Sequence, residues 1–210
     1  MKNIIFLLIS TSLFFGCINK KNLPENFDYG HIENNTYFNE YFKLEMPFEP
    51  DWDVQNKEQM EQIAQMGNDY AVGGNDSLKK VFEASQVNVA QLLLIFKHPV
   101  GSTMDFNPSM LINAENLRQF QNVRTPKGYI SEAKKFLAST AINYEYRRDE
   151  YEMELGGKTF MCLEIQNLDY DIKQDYFVTL RKGFALAIIV SYDNELDKET
   201  LYSNLKNIKI

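Results

Sequence analysis

The second half of the chain alternates strand-like segments with tight-turn signals, and this alternation favours an antiparallel arrangement. Turn signals stand at Gly156 and Gly157, at 169–171, and at Lys182 and Gly183. Paired glycines favour the turns that join neighbouring antiparallel strands, because both central residues of such turns need a positive φ. The segments between the turns have strand character at 142–155, 158–168, 174–181 and 184–192. The sequence therefore predicts a β-meander over residues 142–192.

Capping residues predict helices before and after this meander. Asn56 followed by Gln59 is a capping-box signal, and we expect the helix that it opens to end at Gly67. Further helices are predicted to start at Asn75 or Asp76, at Thr125 with Pro126, and at Asp193 or Asn194. Strands are predicted at 36–46, 87–97 and 109–115. This order predicts an α+β fold in which helices flank an antiparallel β-sheet.

Residues 1–17 match a bacterial lipoprotein signal. Lys2 supplies a positive charge, an apolar stretch follows, and Gly16 stands directly before Cys17. The stretch is shorter than the roughly 20 apolar residues of a membrane-spanning helix. We therefore predict a signal peptide at 1–16 and lipidation of Cys17 by fatty acids such as palmitate, which would attach the protein to the membrane. An ordinary signal peptide with an unmodified Cys17 is the alternative.

The predicted anchor sets the expected location and domain organisation. Residues 17–35 are predicted to be a flexible tether, because 18–26 are mostly polar and include Pro24. A single globular domain is predicted at 36–210. The positions after Cys17 lack the aspartate that retains some lipoproteins at the inner membrane. This favours the outer membrane of a bacterial cell envelope, with the body of the protein periplasmic or surface-exposed.

Composition and motifs exclude several classes of function. The formal net charge is −7 and no basic stripe is present, so we do not expect nucleic-acid binding. His31 and His98 are far apart and show no metal-ligand spacing, and no nucleophile or phosphate-loop motif is present. Cys162 lies in an apolar strand-like run and is interpreted as a buried thiol. We predict no catalytic residue, no cofactor and no metal site.

Parts of the chain resemble the PsbP-like fold family. The resemblance is carried by an aromatic strand at 39–47 with Trp52 behind it, a Gly-Gly-Lys hairpin at 155–160, and a Lys-Gly-aromatic strand at 182–192 followed by the tail 208–210. It implies an α/β/α sandwich that acts as a binding or accessory module. A photosynthetic role is not implied, because this chain differs in its lipobox and in a helical insert at about 56–84.

Two sets of side chains in the predicted meander are candidates for binding a partner. Glu150, Glu152 and Glu154 share one face of a strand by its two-residue period, where they would attract a cation or a basic partner, or guard an exposed edge. Tyrosines are frequent at interfaces, so a tyrosine-lined sheet face is the leading docking hypothesis, and half-buried sheet tyrosines are the alternative. These tyrosines are Tyr70, Tyr129, Tyr144, Tyr146, Tyr151, Tyr170 and Tyr176.

These observations support two main hypotheses for function. The first is a lipid-anchored, non-catalytic envelope module that holds a protein partner through the tyrosines and the acidic strand. The second is a carbohydrate- or small-ligand-binding protein, or an enzyme, that uses Asp51, Trp52 and Asp53, because carboxylates beside an aromatic ring occur in sugar and calcium sites. A turn at the edge of the domain explains the same three residues without any ligand. A stress or assembly factor without a small-molecule ligand is a third hypothesis.

Overall fold

The computed structural model describes residues 23–120 and 122–210, and within these residues the chain forms an α+β fold. The predicted signal peptide, Cys17 and the first part of the tether lie outside the described residues. The elements are β1 His31–Glu33, β2 Thr36–Asn39, β3 Leu44–Pro47, β4 Asp53–Val54, α1 Lys57–Val72, α2 Asp76–Gln86, β5 Val89–Phe96, β6 Ser109–Asn116, α3 Pro126–Leu137, β7 Tyr144–Tyr146, β8 Tyr151–Leu155, β9 Lys158–Asn167, β10 Ile172–Arg181, β11 Phe184–Tyr192 and α4 Glu195–Lys206.

The main sheet is antiparallel and has eight strands within the described residues. Its order is β4-β5-β6-β11-β10-β9-β7, and β8 pairs with the same edge of β9 as β7. The two short strands lie end to end, because Tyr146 pairs with Ile165 whereas Tyr151 pairs with Cys162. The central strand β11 is buried along its whole length, which places the core on both faces of the sheet.

Different elements cover the two faces of the main sheet. Helix α4 and the small sheet β1-β2-β3 lie on one face, where Tyr202 packs on Phe177 and the rings of Phe27 and Phe42 pack on Phe184. Helix α3 packs on β9 and β10 at the other face, and α1 lies beside β5. Successive residues of a strand point to opposite faces, so β6 and β11, which lie between these layers, are buried at every position.

The local signals in the sequence predict the helix starts correctly, but the predicted end of the first helix is wrong. The capping box at Asn56 and the caps Asn75, Thr125 and Asn194 are all confirmed. Helix α1 continues past Gly67 and ends at Gly73, which has φ 55°. A glycine inside a helix costs only about 1 kcal/mol, whereas the left-handed residue after a helix favours glycine strongly.

Two predicted strands are each divided in the structure. Residues 36–46 form the hairpin β2–β3, in which Lys43 has φ 51°, and residues 142–155 form β7 and β8. The ordered fold also begins before residue 36, unlike the predicted tether. Phe27 is buried in the core, and Asn34 and Asn35, both with positive φ, turn β1 back onto β2.

Candidate functional site

The edge of the main sheet at β5 is only partly paired. Strand β4 pairs with Ile95 and Phe96, and the amide of Gln55 then donates to the carbonyl of Leu94 at 2.9 Å. Asn56 caps α1 at the next residue, so the chain leaves the sheet there. Within the described part of the chain, no strand pairs with residues 89–93 on the side away from β6. We call this side of residues 89–93 the unpaired edge.

The unpaired edge presents backbone hydrogen-bonding groups. The amide of Asn116 donates to the carbonyl of Asn88 at 2.9 Å, so the backbone of Asn88 faces β6. Backbone groups alternate in direction along an antiparallel strand, which directs the N–H and C=O of Val89 and Gln91 away from β6. A β-bulge between Gln91 and Leu93 ends this regular stretch.

Two adjoining cavities follow the unpaired edge, with volumes of about 260 and 240 Å³. We call them together the edge groove. They share Tyr29, Lys57, Met60 and Gln91. The first lies between α1 and β5 and carries amide side chains, namely Gln65, Asn68, Gln86 and Gln91. The second lies between β5 and the β1–β2 hairpin and is more apolar, with Tyr37, Val54, Leu92 and Leu93.

The β1–β2 wall of the edge groove depends on a close approach at Gly30. Its φ is +79°, and a Cβ there would lie 2.5 Å from the ring of Tyr37. That ring is buried, and its hydroxyl donates to the carbonyl of Tyr29 at 2.8 Å. Burial raises the pKa of Tyr37, so the hydroxyl stays protonated and remains a donor. The wall is therefore fixed by a glycine and by one buried tyrosine.

Gln55 places an unpartnered acceptor in the edge groove. The residue is 4% exposed and lines the second cavity. Its Nε2 donates to the carbonyl of Asp53 at 3.2 Å, whereas its buried Oε1 has no hydrogen-bond partner among the described residues. A buried acceptor without a partner costs about 1–3 kcal/mol. This oxygen lies where the pairing of β4 with β5 ends.

A buried charge cluster lies at the opposite edge of the main sheet, where the chain passes from β7 to β8. Arg147 pairs with the carboxylate of Asp175 and lies 3.2 Å from that of Glu164. The hydroxyls of Tyr192 and Tyr202 each donate to Asp175 at 2.7 Å. Burial raises the pKa of Asp175, and Arg147 opposes that shift. Because the members bond to one another, this cluster fits a structural role.

Asp51, Trp52 and Asp53 lie in three different environments. Trp52 is 6% exposed and belongs to the core. The carboxylate of Asp53 accepts from the amide of Val100 at 2.9 Å, and Asp51 is exposed. None of the three lines either cavity of the edge groove. Their proposed role in ligand binding stays a sequence prediction.

The predicted acidic and tyrosine residues are brought together only in part. Lys134 of α3 pairs with Glu150 and lies 4.5 Å from the ring centre of Tyr146. Glu152 and Glu154 are exposed on β8. The hydroxyl of Tyr144 is buried without a partner among the described residues, and burial raises its pKa.

The predicted tyrosine-lined face does not form, because the tyrosines lie on different surfaces. Tyr151 lies on the α4 face and donates to Glu164 at 2.8 Å, whereas Tyr176 is fully buried on the other face. Tyr70 and Tyr170 form a separate exposed pair with ring centres 5.7 Å apart. Adjacent strand residues face opposite sides, so a count of tyrosines along the chain does not predict one surface.

The described residues offer neither a metal-binding cluster nor a membrane-spanning helix. No group of three or more His, Cys, Asp or Glu side chains there could hold a metal ion. Among the same residues, no helix is both long and apolar enough to cross a membrane.

Comparisons with known proteins give distant structural similarity only. No family model matches the chain, and no curated protein matches it. LpqN, involved in cell envelope biogenesis of Mycobacterium tuberculosis, is similar with a TM-score of 0.45 and 10% identity, over 80% of this chain and 82% of that one. PA94, a Pseudomonas aeruginosa protein of unknown function, is similar with a TM-score of 0.41 and 10% identity, over 57% of this chain and 79% of that one. Similarity this distant assigns no function.

Proposed function

We propose that this protein is an accessory module of the bacterial cell envelope that holds a protein partner in the edge groove. The main support is the groove itself, whose two adjoining cavities of about 260 and 240 Å³ combine an apolar end with an amide-rich end. Protein interfaces combine such apolar contact with hydrogen bonding. The exposed side chains at the mouth, Lys57 and Glu61, lie 3.9 Å apart and carry opposite charges, so the groove has no dominant charge.

The envelope location is proposed from the sequence of residues 1–17. In this proposal the signal peptide is removed, Cys17 carries fatty acids such as palmitate, and the body faces the periplasm or the surface at the outer membrane. The resemblance to the PsbP-like family supports an accessory role. Labelling cells with a palmitate analogue tests the anchor, and we expect label in the wild type and none in Cys17→Ser. Label in both, or in neither, would contradict the anchor.

In-cell photo-crosslinking tests the partner. Benzoylphenylalanine replaces Gln65, which is exposed and lines the edge groove, and as a control replaces Glu199, which is exposed on α4. A third position, Glu152, tests the acidic strand predicted from the sequence. We expect one protein adduct at position 65, none at position 199, and a weaker adduct at 65 when Cys17→Ser releases the anchor. An adduct at 152 alone would move the binding surface to β8, and no adduct at either position would overturn the proposal.

A further inference from the structure

We propose that the partner contributes an extended segment that adds to the main sheet as a strand beside the unpaired edge of β5. This inference rests on the proposed function, because it assigns the manner in which the edge groove holds a protein. The segment would lie in line with β4, between α1 and the β1–β2 hairpin. Strand β4 pairs with only two residues of β5, and the added segment would continue the sheet from there.

The backbone geometry favours a polypeptide as the occupant. The carbonyl of Leu94 already accepts from Gln55, and the N–H and C=O groups of Val89 and Gln91 continue the same edge without a strand neighbour in the described chain. Strand residues repeat at about 3.3 Å, so residues 89–93 span about 16 Å, the length of a five-residue extended segment. A peptide backbone supplies alternating donors and acceptors at this spacing, which is the basis of recognition by strand addition.

The acceptor on Gln55 is an independent observation that points to the same occupant. Its Oε1 is buried, unpartnered and placed at the end of the β4 pairing, in the wall of the second cavity. A segment that continues the position of β4 would bring a backbone N–H to this oxygen. The added strand would then give a partner to this side-chain oxygen, which has none among the described residues.

The lining of the edge groove indicates which types of side chain the segment should carry. Side chains of an added strand alternate between the two sides of the sheet, so alternate positions enter the groove. Near Gln55 the wall is apolar, with Val54, Leu92 and Leu93, which favours an aliphatic or aromatic side chain. Near Gln86 the wall is rich in amides, which favours a polar side chain. Proline is excluded at every position that must donate to β5.

Backbone-modified peptides test the inference directly. Eight-residue peptides are selected from a randomised display library against the full chain in detergent micelles, and the strongest binder is resynthesised with N-methyl groups at odd or at even positions. We expect one set to weaken binding by about tenfold or more and the other to leave it nearly unchanged, because only alternate N–H groups of a strand face β5. Hydrogen exchange of Val89 and Gln91 should slow with the peptide, whereas Ala90, which pairs with Ala114, should stay the same. Equal tolerance of both methylated sets would overturn strand addition.

Matched variants test the same contact from the protein side. Gln91→Pro removes an outward N–H, and Gln91→Thr changes the side chain but keeps that N–H. We expect about tenfold weaker peptide binding for the proline variant than for the threonine variant. Gln55→Met removes the lone acceptor without touching the backbone, and should weaken binding by about fivefold. Thermal unfolding of each variant separates lost binding from lost folding, and the N-methylated peptides decide the matter if the proline variant fails to fold.

The crosslinking experiment separates this inference from the proposed function. If Gln91→Pro folds and leaves the adduct from position 65 unchanged, the groove holds its partner through side chains, and only strand addition is overturned. If no adduct forms from position 65 or position 152, the proposed function itself fails. An adduct between two copies of this chain would assign the edge to self-association and would overturn a separate partner.

Discussion

The two edges of the main sheet are both interrupted, but they are completed in different ways. At the β9 edge, β7 and β8 together cover most of the strand, and Arg147 leaves the break between them to reach Asp175. At the β5 edge, β4 covers two residues, and the chain then departs into α1. The first edge is closed by the chain's own strands and a buried ion pair. The second keeps backbone groups open beside a groove.

If the proposed function holds, one edge serves stability and the other serves recognition. The outer strand β8 carries exposed carboxylates at Glu152 and Glu154, and charge on an edge strand discourages pairing with other chains. The unpaired edge of β5 carries no such charge, since its half-buried positions are Val89 and Gln91. Its protection comes instead from the β-bulge and from the walls of the edge groove, which restrict access to a segment that fits between them.

The largest effect should follow from opening the closed edge at Arg147. Arg147→Ala leaves Asp175 buried without its cation, and breaking a buried ion pair typically lowers the free energy of unfolding by about 3–5 kcal/mol. Arg148→Ala is the matched control, because that side chain is 53% exposed and lies 3.7 Å from Glu164. We expect a loss of about 1 kcal/mol or less for the control. Guanidinium denaturation measures the free energy of unfolding of both variants. Equal losses would show that the buried charge cluster does not stabilise this edge.

A proline at each edge should give the next largest difference. Met153 pairs with Phe160 in the two-residue hairpin at Gly156 and Gly157, a position at which the N–H faces the partner strand. Met153→Pro should therefore lower the free energy of unfolding on the order of 2–3 kcal/mol. Gln91→Pro removes an N–H that faces away from β6 and should cost less than about 1 kcal/mol. Comparable losses in thermal unfolding would mean that the β5 edge is paired after all.

A smaller effect is expected in the wall of the edge groove. Gly30→Ala puts a Cβ against the ring of Tyr37 at a φ of +79°, and should cost about 1–3 kcal/mol. Gly74→Ala is the control, because Gly74 has a similar φ of +82° but nothing lies within 4 Å of its added Cβ. We expect faster hydrogen exchange in β1 and β2 for Gly30→Ala only. Equal stability of the two variants would show that positive φ alone sets the cost.

The smallest effect should be seen at Cys162, where we expect almost no reaction in the native protein. Cys162 lies on β9 beside Tyr151 of β8, and burial raises the pKa of its thiol to about 12. A raised pKa keeps the thiol protonated at pH 8, and the thiolate is the reactive form. In Cys17→Ser, iodoacetamide should label Cys162 only after denaturant unfolds the chain. Rapid labelling of the native protein would show that β8 separates from β9.

Local features of the fold were predictable, whereas the candidate site was not. The capping box at Asn56 and the hairpin at Gly156 and Gly157 are formed by neighbouring residues, so their sequence signals are direct. Arg147 meets Asp175 across 28 positions, and no local pattern indicates that pairing. Tertiary packing also makes β7 and β8 two strands where the alternation of residue types predicts one.

The sequence does not indicate the edge groove, for a related reason. An unpaired edge is a property of how far a neighbouring strand extends, and β4 is too short to give a periodic signal. One of its walls did have a local signal, because Asn34 and Asn35 stand between two short strand-like segments and favour a primed turn. Recognising that turn would have moved the start of the domain ahead of residue 36. It would not have revealed the missing neighbour of residues 89–93.

The contact between Glu45 and Lys209 also sets an order of events during synthesis. Their backbones exchange hydrogen bonds of 2.9 and 3.0 Å, and their side chains form an ion pair at 2.6 Å. The two residues are 164 positions apart, so β3 gains this neighbour only after residue 209 has been made. Until then, the side of β3 at Glu45 that faces away from β2 has no backbone partner from this segment.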